Sequence, residues 1–293
     1  MTLPTTALAT LDDVPGWFFD HDQALFAWFL DRQNRLEFSG DLLELGAYLG
    51  KSAILLGHYL LDGQRLTICD LFEAEANDVE NAAEMEQYRS TLSRQVFERN
   101  YLAFHASLPT IVQGPSSVIS GQVAPASCRF AHVDASHLYE HVKADIDACR
   151  TALQPDGLLV CDDFRAPHTP GVAAAVWGAV TSGGLHPICL TDSKFYGTWN
   201  DPGPVREELI AWLESFGPGS HETQTIAGDT VVRIASWQPP RVEIRSLAGA
   251  AIADAVPAAE GATPRRGFPR ARRIARDILP PVITRALTRR PPA

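Results

Sequence analysis

Short apolar segments alternate along the chain with longer amphipathic ones. Seven of the apolar segments predict strands, namely DLLELG, RLTICD, part of HASLPTIVQG, CRFAHVD, GLLVCDD, HPICLTD and TVVRIAS. Several are continuous apolar runs, a pattern typical of strands that helices cover on both faces. The alternation predicts an α/β fold built on a doubly wound, mostly parallel sheet of about seven strands.

The same pattern divides the chain into three parts. Residues 1–40 contain the helical stretch DHDQALFAWFLDRQNRLEF and predict an N-terminal cover, in which Trp17, Phe18 and Phe19 either form a lid or belong to the core. Residues 41–238 hold the alternating elements and predict the domain that carries the site. Residues 239–293 are rich in Ala, Pro, Gly and Arg, which predicts a flexible or amphipathic tail.

Charge is divided unevenly between body and tail. From Arg241 to Ala293 the chain has eleven arginines and four acidic residues, so this segment carries +7 and the first 240 residues carry −17. An acidic body repels a nucleic-acid backbone, so no nucleic-acid partner is expected. The tail spaces its arginines largely opposite an apolar helical face, which suits an anionic membrane surface or an acidic partner. A flexible solubilising tail is the alternative, since Pro280 and Pro281 interrupt any long helix.

The N-terminal segment has neither a basic start nor an apolar run, and no segment approaches the ~20 apolar residues that span a bilayer. We therefore expect a cytoplasmic protein, with peripheral contact at the inner membrane surface if the tail binds lipid. The five cysteines are scattered and are expected to be small buried residues without disulfides or a zinc cluster. The oligomeric state stays open, and a homo-oligomer is compatible with the sequence.

The first predicted strand leads through a glycine turn into a helix, in LELGAYLGKSA. This segment ends in Gly-Lys-Ser, but the three residues between Gly46 and Gly50 are one fewer than a phosphate-binding loop needs. Glu44, just before the turn, would also repel a polyphosphate unless Mg²⁺ or Lys51 offset its charge. A strand, a tight turn and a helix N-terminus still predict a site for a nucleotide-like ligand without a phosphate.

Acidic residues follow the strands at the edge where ligands bind in open α/β sheets. Asp70 ends the second strand, where a carboxylate either bonds the ribose hydroxyls of an adenosine ligand or caps the next loop. Asp134, Asp162 and Asp163 end the fourth and fifth strands, with no obvious Lys or Arg partner in the local sequence.

Three neighbouring carboxylates repel one another unless a cation lies among them. Oxygen ligands favour Mg²⁺, with Mn²⁺ or Ca²⁺ as alternatives. The other interpretation is that Asp163 caps a helix while Asp134 faces solvent. We favour the metal site.

His137 follows Asp134 by three residues, at the start of a predicted helix, and is expected to overhang the metal. A neutral imidazole there could take a proton from a metal-bound hydroxyl at neutral pH, although a structural role is the alternative. His141, one helical turn further on, and His168, in a later loop, are weaker candidates.

The segments LLELGAYLGKSA, RLTICD, HVDASH and LVCDDF together resemble the class I S-adenosylmethionine-dependent methyltransferases. More narrowly, the chain is similar to the metal-dependent O-methyltransferases that include catechol O-methyltransferase, and to the bacterial macrocin-type sugar O-methyltransferases. VDASHLYEHVKADI and DDFRAPHTPGV match the sugar group best. The resemblance covers about residues 14–237.

The resemblance implies a Rossmann-like methyltransferase fold with S-adenosyl-L-methionine as cofactor. It implies roles for individual residues: Glu44, Gly46, Tyr48 and Ser52 at the methionine end of the cofactor, Asp70 at its ribose, Ser116 near its adenine, and Asp134, Asp162 and Asp163 as Mg²⁺ ligands. The catechol enzyme carries Lys where this chain has His137, whereas the sugar-type relatives place a His there.

The expected function is Mg²⁺-dependent transfer of a methyl group to a hydroxyl of a sugar or glycoside acceptor, with His137 as general base. A catechol-like or other small vicinal diol is the alternative acceptor. From another class, a non-catalytic binding protein with the cofactor fold is the alternative. An oxidative relative with iron is disfavoured, since three carboxylates without a pair of histidines suit iron poorly.

Overall fold

The computed structural model describes residues 8–76, 79–86, 91–234 and 237–249. The chain divides into two units, residues 1–251 and residues 252–293. The second unit, which contains the predicted apolar and basic faces of the tail, lies outside the described residues. None of the helices in the described ranges has the length and apolar character needed to cross a membrane.

A nine-stranded sheet forms the centre of the described part of the chain. Its strands are β1 (Asp41–Leu45), β2 (Leu66–Asp70), β3 (Thr110–Gln113), β4 (Cys128–Val133), β5 (Leu153–Cys161), β6 (His186–Leu190), β7 (Phe195–Thr198), β8 (His221–Ile226) and β9 (Asp229–Ile234). The helices are α1 (Asp20–Arg35), α2 (Lys51–His58), α3 (Val79–Glu86), α4 (Arg94–Leu102), α5 (Tyr139–Ala152), α6 (Pro170–Ser182) and α7 (Gly203–Glu214). Short 3-10 helices occur at Leu11–Asp13 and Ser116–Gly121.

The strands lie in the order β3-β2-β1-β4-β5-β7-β6-β9-β8. The first five of these pair in parallel, whereas β7 is antiparallel to both β5 and β6. Strand β1 has β2 on one side and β4 on the other, so the direction of winding reverses there. In sheets of this kind, a ligand crevice opens at the carboxyl ends of the strands on either side of the reversal.

The two faces of the sheet carry separate apolar cores. On β1 and β4, Leu42 and Phe130 belong to the core that includes side chains of α1, α2 and α7, whereas Leu43 and Ala131 belong to the core that includes α5 and α6. This alternation follows from the two-residue period of a strand. The predicted doubly wound α/β fold with helices on both faces is therefore confirmed.

The predicted number of strands is too low. All seven predicted strands occur, and β7 and β8 are additional. Strand β7 has only four residues, one of them a glycine, and β8 is a mostly exposed edge strand of sequence HETQTI. Strand β7 is too short to form a recognisable apolar run. Strand β8 has no apolar run because it lies at the edge of the sheet and pairs only with β9.

The N-terminal segment packs on the body in part as core and in part as surface. Phe18 is buried, with its ring centroid 4.9 Å from that of Phe26, whereas Trp17 is 49% exposed and lies 5.3 Å from the ring of Tyr48. The described contacts also continue beyond residue 238, since the Leu11 N–H donates to the Ile244 carbonyl at 2.9 Å. All five cysteines are buried, as the sequence predicts.

The turn after β1 requires glycine at position 46. Gly46 has φ +79°, and a Cβ atom there would overlap the carbonyl oxygen of Asp134. Gly63 provides a matched control, since its φ is +82° but nothing lies within 4 Å of its Cβ position. A residue with a Cβ would therefore meet the same backbone strain at both positions, but only at position 46 would its Cβ also overlap a neighbouring atom.

We predict that Gly63→Ala lowers the free energy of unfolding by about 1–2 kcal/mol, the cost of a left-handed backbone for a residue with a Cβ. Gly46→Ala should cost clearly more, because the end of β4 must also move. Denaturant unfolding of both variants measures the difference. Equal losses would contradict the close approach of the two backbones.

Candidate functional site

Asp70, at the end of β2, holds the glycine turn through backbone hydrogen bonds. Its Oδ2 accepts the N–H groups of Ala47 at 2.7 Å and Tyr48 at 3.1 Å, and its Oδ1 accepts that of Phe72 at 2.6 Å. Burial raises the pKa of Asp70, and the three N–H groups oppose that rise. The carboxylate thus stabilises the turn in which Tyr48 adopts φ +48°. Its contact with a ribose stays a prediction.

The other residues predicted for the cofactor surround the same turn or the next strand end. Ser52 lies in the first turn of α2 and Glu44 in β1, and the Ser52 hydroxyl is close enough to lower the pKa of the Glu44 carboxyl. Ser116 begins the 3-10 helix after β3, and its hydroxyl bonds Asp145. The structure therefore gathers four of the predicted residues around the end of β1, with Asp70 beside them and Ser116 further along the edge.

The three predicted metal ligands lie near one another but do not form a single group. One group consists of His132, Asp134 and Asp162, and the other of Asp134, His137 and Asp163. Within each group, one potential ligand atom from each residue lies within 4.8 Å of the others. Asp162 and Asp163 therefore belong to different groups, which share Asp134.

The Lys194 ammonium lies against two residues of the first group, Asp162 and His132. The sequence analysis did not predict this lysine as part of the site. Its ammonium forms an ion pair with Asp162 and lies 3.1 Å from His132 Nε2, and the side chain is 1% exposed. Lys194 lies between β6 and β7, 32 residues after Asp162. Arg165, the basic residue nearest to the aspartates in sequence, instead pairs with Asp192 at 3.5 Å. No local pattern connects Lys194 with the aspartates.

His132 connects Lys194 to Glu44 of β1. An ammonium group only donates, so His132 Nε2 accepts and Nδ1 carries the hydrogen. Nδ1 then donates to Glu44 Oε1 at 2.8 Å. Burial and the charge of Lys194 hold the pKa of His132 well below its ordinary value, so the ring is neutral. A hydrogen-bonded chain thus runs through the sheet from Glu44 to Asp162.

The carboxyl groups of this centre differ in their electrostatics. Burial and the charge of Asp162 raise the pKa of Asp134 well above its ordinary value. Burial also raises the pKa of Asp162, against the lowering effect of Lys194. For Asp163, burial is outweighed by the hydrogen bond and charge of His137, which bring its pKa below the ordinary value. Asp163 is therefore the most readily ionised of the three.

His137 lies where the sequence predicts, beside the aspartates. Its Nε2 is 2.9 Å from Asp163 Oδ2, and the side chain is 19% exposed. The start of α6 packs directly against this segment, because a Cβ at Gly171 would lie 2.5 Å from the His137 carbonyl oxygen. Of the weaker candidates, His141 Nδ1 lies 3.1 Å from the Ser136 hydroxyl, and the His168 ring lies 6.3 Å from that of His137.

The second group fits a divalent ion and the first does not. Asp134 and Asp163 offer carboxylate oxygens, the ligand type that Mg²⁺ and Mn²⁺ prefer, and His137 lies beside them. In the first group, the Lys194 ammonium already supplies the positive charge that Asp162 requires. The site thus offers an ion Asp134 and Asp163 among the three predicted aspartates.

A family comparison identifies the segment that contains this site. The model of the family described as "Methyltransferase domain" matches residues 43–164, from β1 to the residue after Asp163. Residues 43–164 are a methyltransferase domain. The predicted resemblance to methyltransferases and the prediction that the chain is a methyltransferase are therefore confirmed. The glycine turn, Asp70, His137 and all three aspartates lie within this methyltransferase domain.

Solved structures with similar folds include CalS11, described as a TDP-rhamnose 3'-O-methyltransferase, at 19% identity and a TM-score of 0.44, with 65% of this chain and 86% of that chain covered. For the O-methyltransferase NovP, the identity is 17% and the TM-score 0.48, over 61% of this chain and 81% of that one. For the methyltransferase PaMTH1 of Podospora anserina, bound to SAH, the identity is 16% and the TM-score 0.41, over 62% and 83%. None of the curated proteins matches the chain significantly in sequence.

The buried Glu44 makes the stability of the methyltransferase domain depend on pH. Burial raises the pKa of Glu44 from 4.5 to about 8. Between these values the folded chain keeps a proton that the unfolded chain has lost, so stability falls as the pH rises. One such proton changes the free energy of unfolding by at most about 1.4 kcal/mol per pH unit.

We predict that Glu44→Gln removes this contribution, because the amide does not titrate and its oxygen still accepts from His132. The difference in unfolding free energy between variant and parent should grow from about pH 5 to about pH 8 and then level off. Denaturant titrations across this range measure it, and the other titrating groups cancel because both chains contain them. Parallel stability curves would show that Glu44 titrates as it does in water.

Proposed function

We propose that this chain transfers the methyl group of S-adenosylmethionine to a hydroxyl of a sugar or glycoside acceptor, with His137 as general base. The observation that supports this most is the contact between the glycine turn and the acidic centre. Gly46 lies so close to the Asp134 carbonyl that no side chain fits between them. A methyl donor at the turn and an acceptor at His137 would therefore be neighbours, as direct transfer requires.

The cofactor would bind at the carboxyl end of β1. Gly46, Tyr48 and Ser52 would contact its methionine end, and Asp70 and Ser116 its ribose and adenine. Glu44 would act from within the sheet, since it is fully buried and bonded to His132. When bound, S-adenosylmethionine supplies a methyl group on a positively charged sulfur, and its charge complements this acidic edge of the sheet.

The proton would leave the acceptor through His137. Asp163 Oδ2 lies 2.9 Å from His137 Nε2, so Asp163 would orient the ring and stabilise its charged form once it has taken the proton. Asp134 and Asp163 would hold a divalent ion, with Mg²⁺ as the first choice. When bound, the ion would lower the pKa of the acceptor hydroxyl.

The acceptor class rests on the sequence resemblance. The segments VDASHLYEHVKADI and DDFRAPHTPGV are most similar to sugar-type enzymes, and these two segments pack against each other where Gly171 meets His137. The catechol type carries Lys in place of His137, so a catechol-like diol is the second choice. A protein that only binds the cofactor would show affinity without turnover.

Two measurements test the proposal. Calorimetry with S-adenosylmethionine should show binding to the purified full chain, and mono- and disaccharides, phenols and glycosides should be screened for methyl transfer. Absence of cofactor binding would refute the proposal. Turnover confined to phenols would move the acceptor to the catechol class.

The role of His137 predicts a selective loss of rate. His137→Ala should lower kcat by about 100-fold or more, the usual contribution of a general base, while the Kd for S-adenosylmethionine stays within about twofold. His141→Ala is the matched control, because it removes an imidazole from the same segment that bonds Ser136 rather than Asp163. Equal losses in both variants would assign the effect to the segment and not to the base.

The proposed ion predicts a dependence on divalent metal. Treatment with EDTA should lower the rate of methyl transfer, and added Mg²⁺ should restore it, because the acceptor hydroxyl loses its proton less readily without the ion. Cofactor affinity, measured by calorimetry on the same samples, should stay unchanged. Full activity in EDTA would remove the ion from the mechanism.

A further inference from the structure

Lys194 is enclosed by the protein on all sides. Its ammonium contacts Asp162 and His132, and the rings of Phe18 and Phe26 lie 5.7 Å and 5.9 Å from it. A buried ammonium is retained only where acidic and polar groups compensate the loss of water. Here Asp162 and His132 compensate it directly, and the aromatic rings exclude solvent.

The turn that carries Lys194 is fixed by the N-terminal helix. Asp22 of α1 accepts the Thr191 hydroxyl at 2.9 Å, the Ser193 hydroxyl at 2.7 Å and the Tyr196 hydroxyl at 2.7 Å. The Lys194 N–H also bonds the Thr191 hydroxyl at 2.8 Å. The lysine is therefore part of a buried hydrogen-bond network, and a change in its position would break several of these hydrogen bonds.

This arrangement uses both oxygens of Asp162 within the chain. Oδ2 accepts from the Lys194 ammonium, and Oδ1 accepts the Asp163 N–H at 2.8 Å. The Asp163 carboxylate, in contrast, meets His137 and is partly exposed. A cation that approaches from the His137 side thus encounters Asp134 and Asp163, while Asp162 already has its positive charge.

We propose that Lys194 is the resident cation of this centre and keeps Asp162 from coordinating a divalent ion, so that the ion site has two carboxylates rather than three. The inference rests on the ion site of the proposed function. Because the affinity of such sites depends on the number of charged ligands, Lys194 weakens ion binding in this chain. It acts as a positioning residue through Asp162 and does not itself touch the acceptor.

Calorimetric titration of the purified full chain with Mn²⁺ tests the proposal without any need for turnover. Asp162→Asn should leave the Mn²⁺ affinity within about twofold of the parent, whereas Asp163→Asn should lower it about tenfold or more. Lys194→Met, which keeps the bulk of the side chain and removes its charge, should raise the affinity about tenfold by releasing Asp162.

Equal losses of Mn²⁺ affinity in Asp162→Asn and Asp163→Asn would overturn the proposal, because Asp162 would then be a ligand. If Lys194→Met does not fold, the comparison of the two Asn variants decides the question. If the parent binds no Mn²⁺, the proposed function has no divalent ion. The Lys194→Met variant then still tests whether Lys194 is the resident cation. Gain of Mn²⁺ binding in that variant supports Lys194 as the resident cation, and no gain overturns it.

Discussion

Burial of carboxylates at the ends of β4 and β5 requires a positive charge in the same place. Asp162 is buried and Asp134 is half-buried, and their charged forms would be costly there without a partner. The Lys194 ammonium supplies that partner, and its own burial is stabilised by Asp162 and His132. Ion pairs of this kind add little net stability over apolar packing, but removal of one partner is strongly destabilising. The arrangement of the acidic edge therefore depends on Lys194.

That dependence extends to the N-terminal helix. Asp22 of α1 binds three hydroxyl groups of the segment that carries Lys194. The N-terminal region, which the sequence predicts as a cover, thus also fixes the segment that carries Lys194. Phe18 and Phe26 complete the enclosure of the ammonium, which explains why Phe18 is a core residue while its neighbour Trp17 lies at the surface over Tyr48.

The glycine turn after β1 and the acidic ends of β4 and β5 are joined in two ways. At the strand ends, Gly46 and Asp134 meet through their backbones. Deeper in the sheet, the Glu44 and His132 side chains connect neighbouring strands and lead to Lys194. Both connections follow from the parallel pairing of β1 with β4, in which Glu44 and His132 are partners in register.

Local patterns determined the strands with apolar runs, the glycine turn, the acidic strand ends and the position of His137, because each of these is contained in a short segment. The sequence did not predict the edge strand β8, since an exposed strand has no apolar run. Only the tertiary structure decided that Asp162 pairs with Lys194 and Asp163 with His137. Lys194 comes from a turn 32 residues after Asp162, and His132 is hidden within a buried strand. Such contacts arise from the pairing of distant strands and from the burial of charge, which no local sequence pattern encodes.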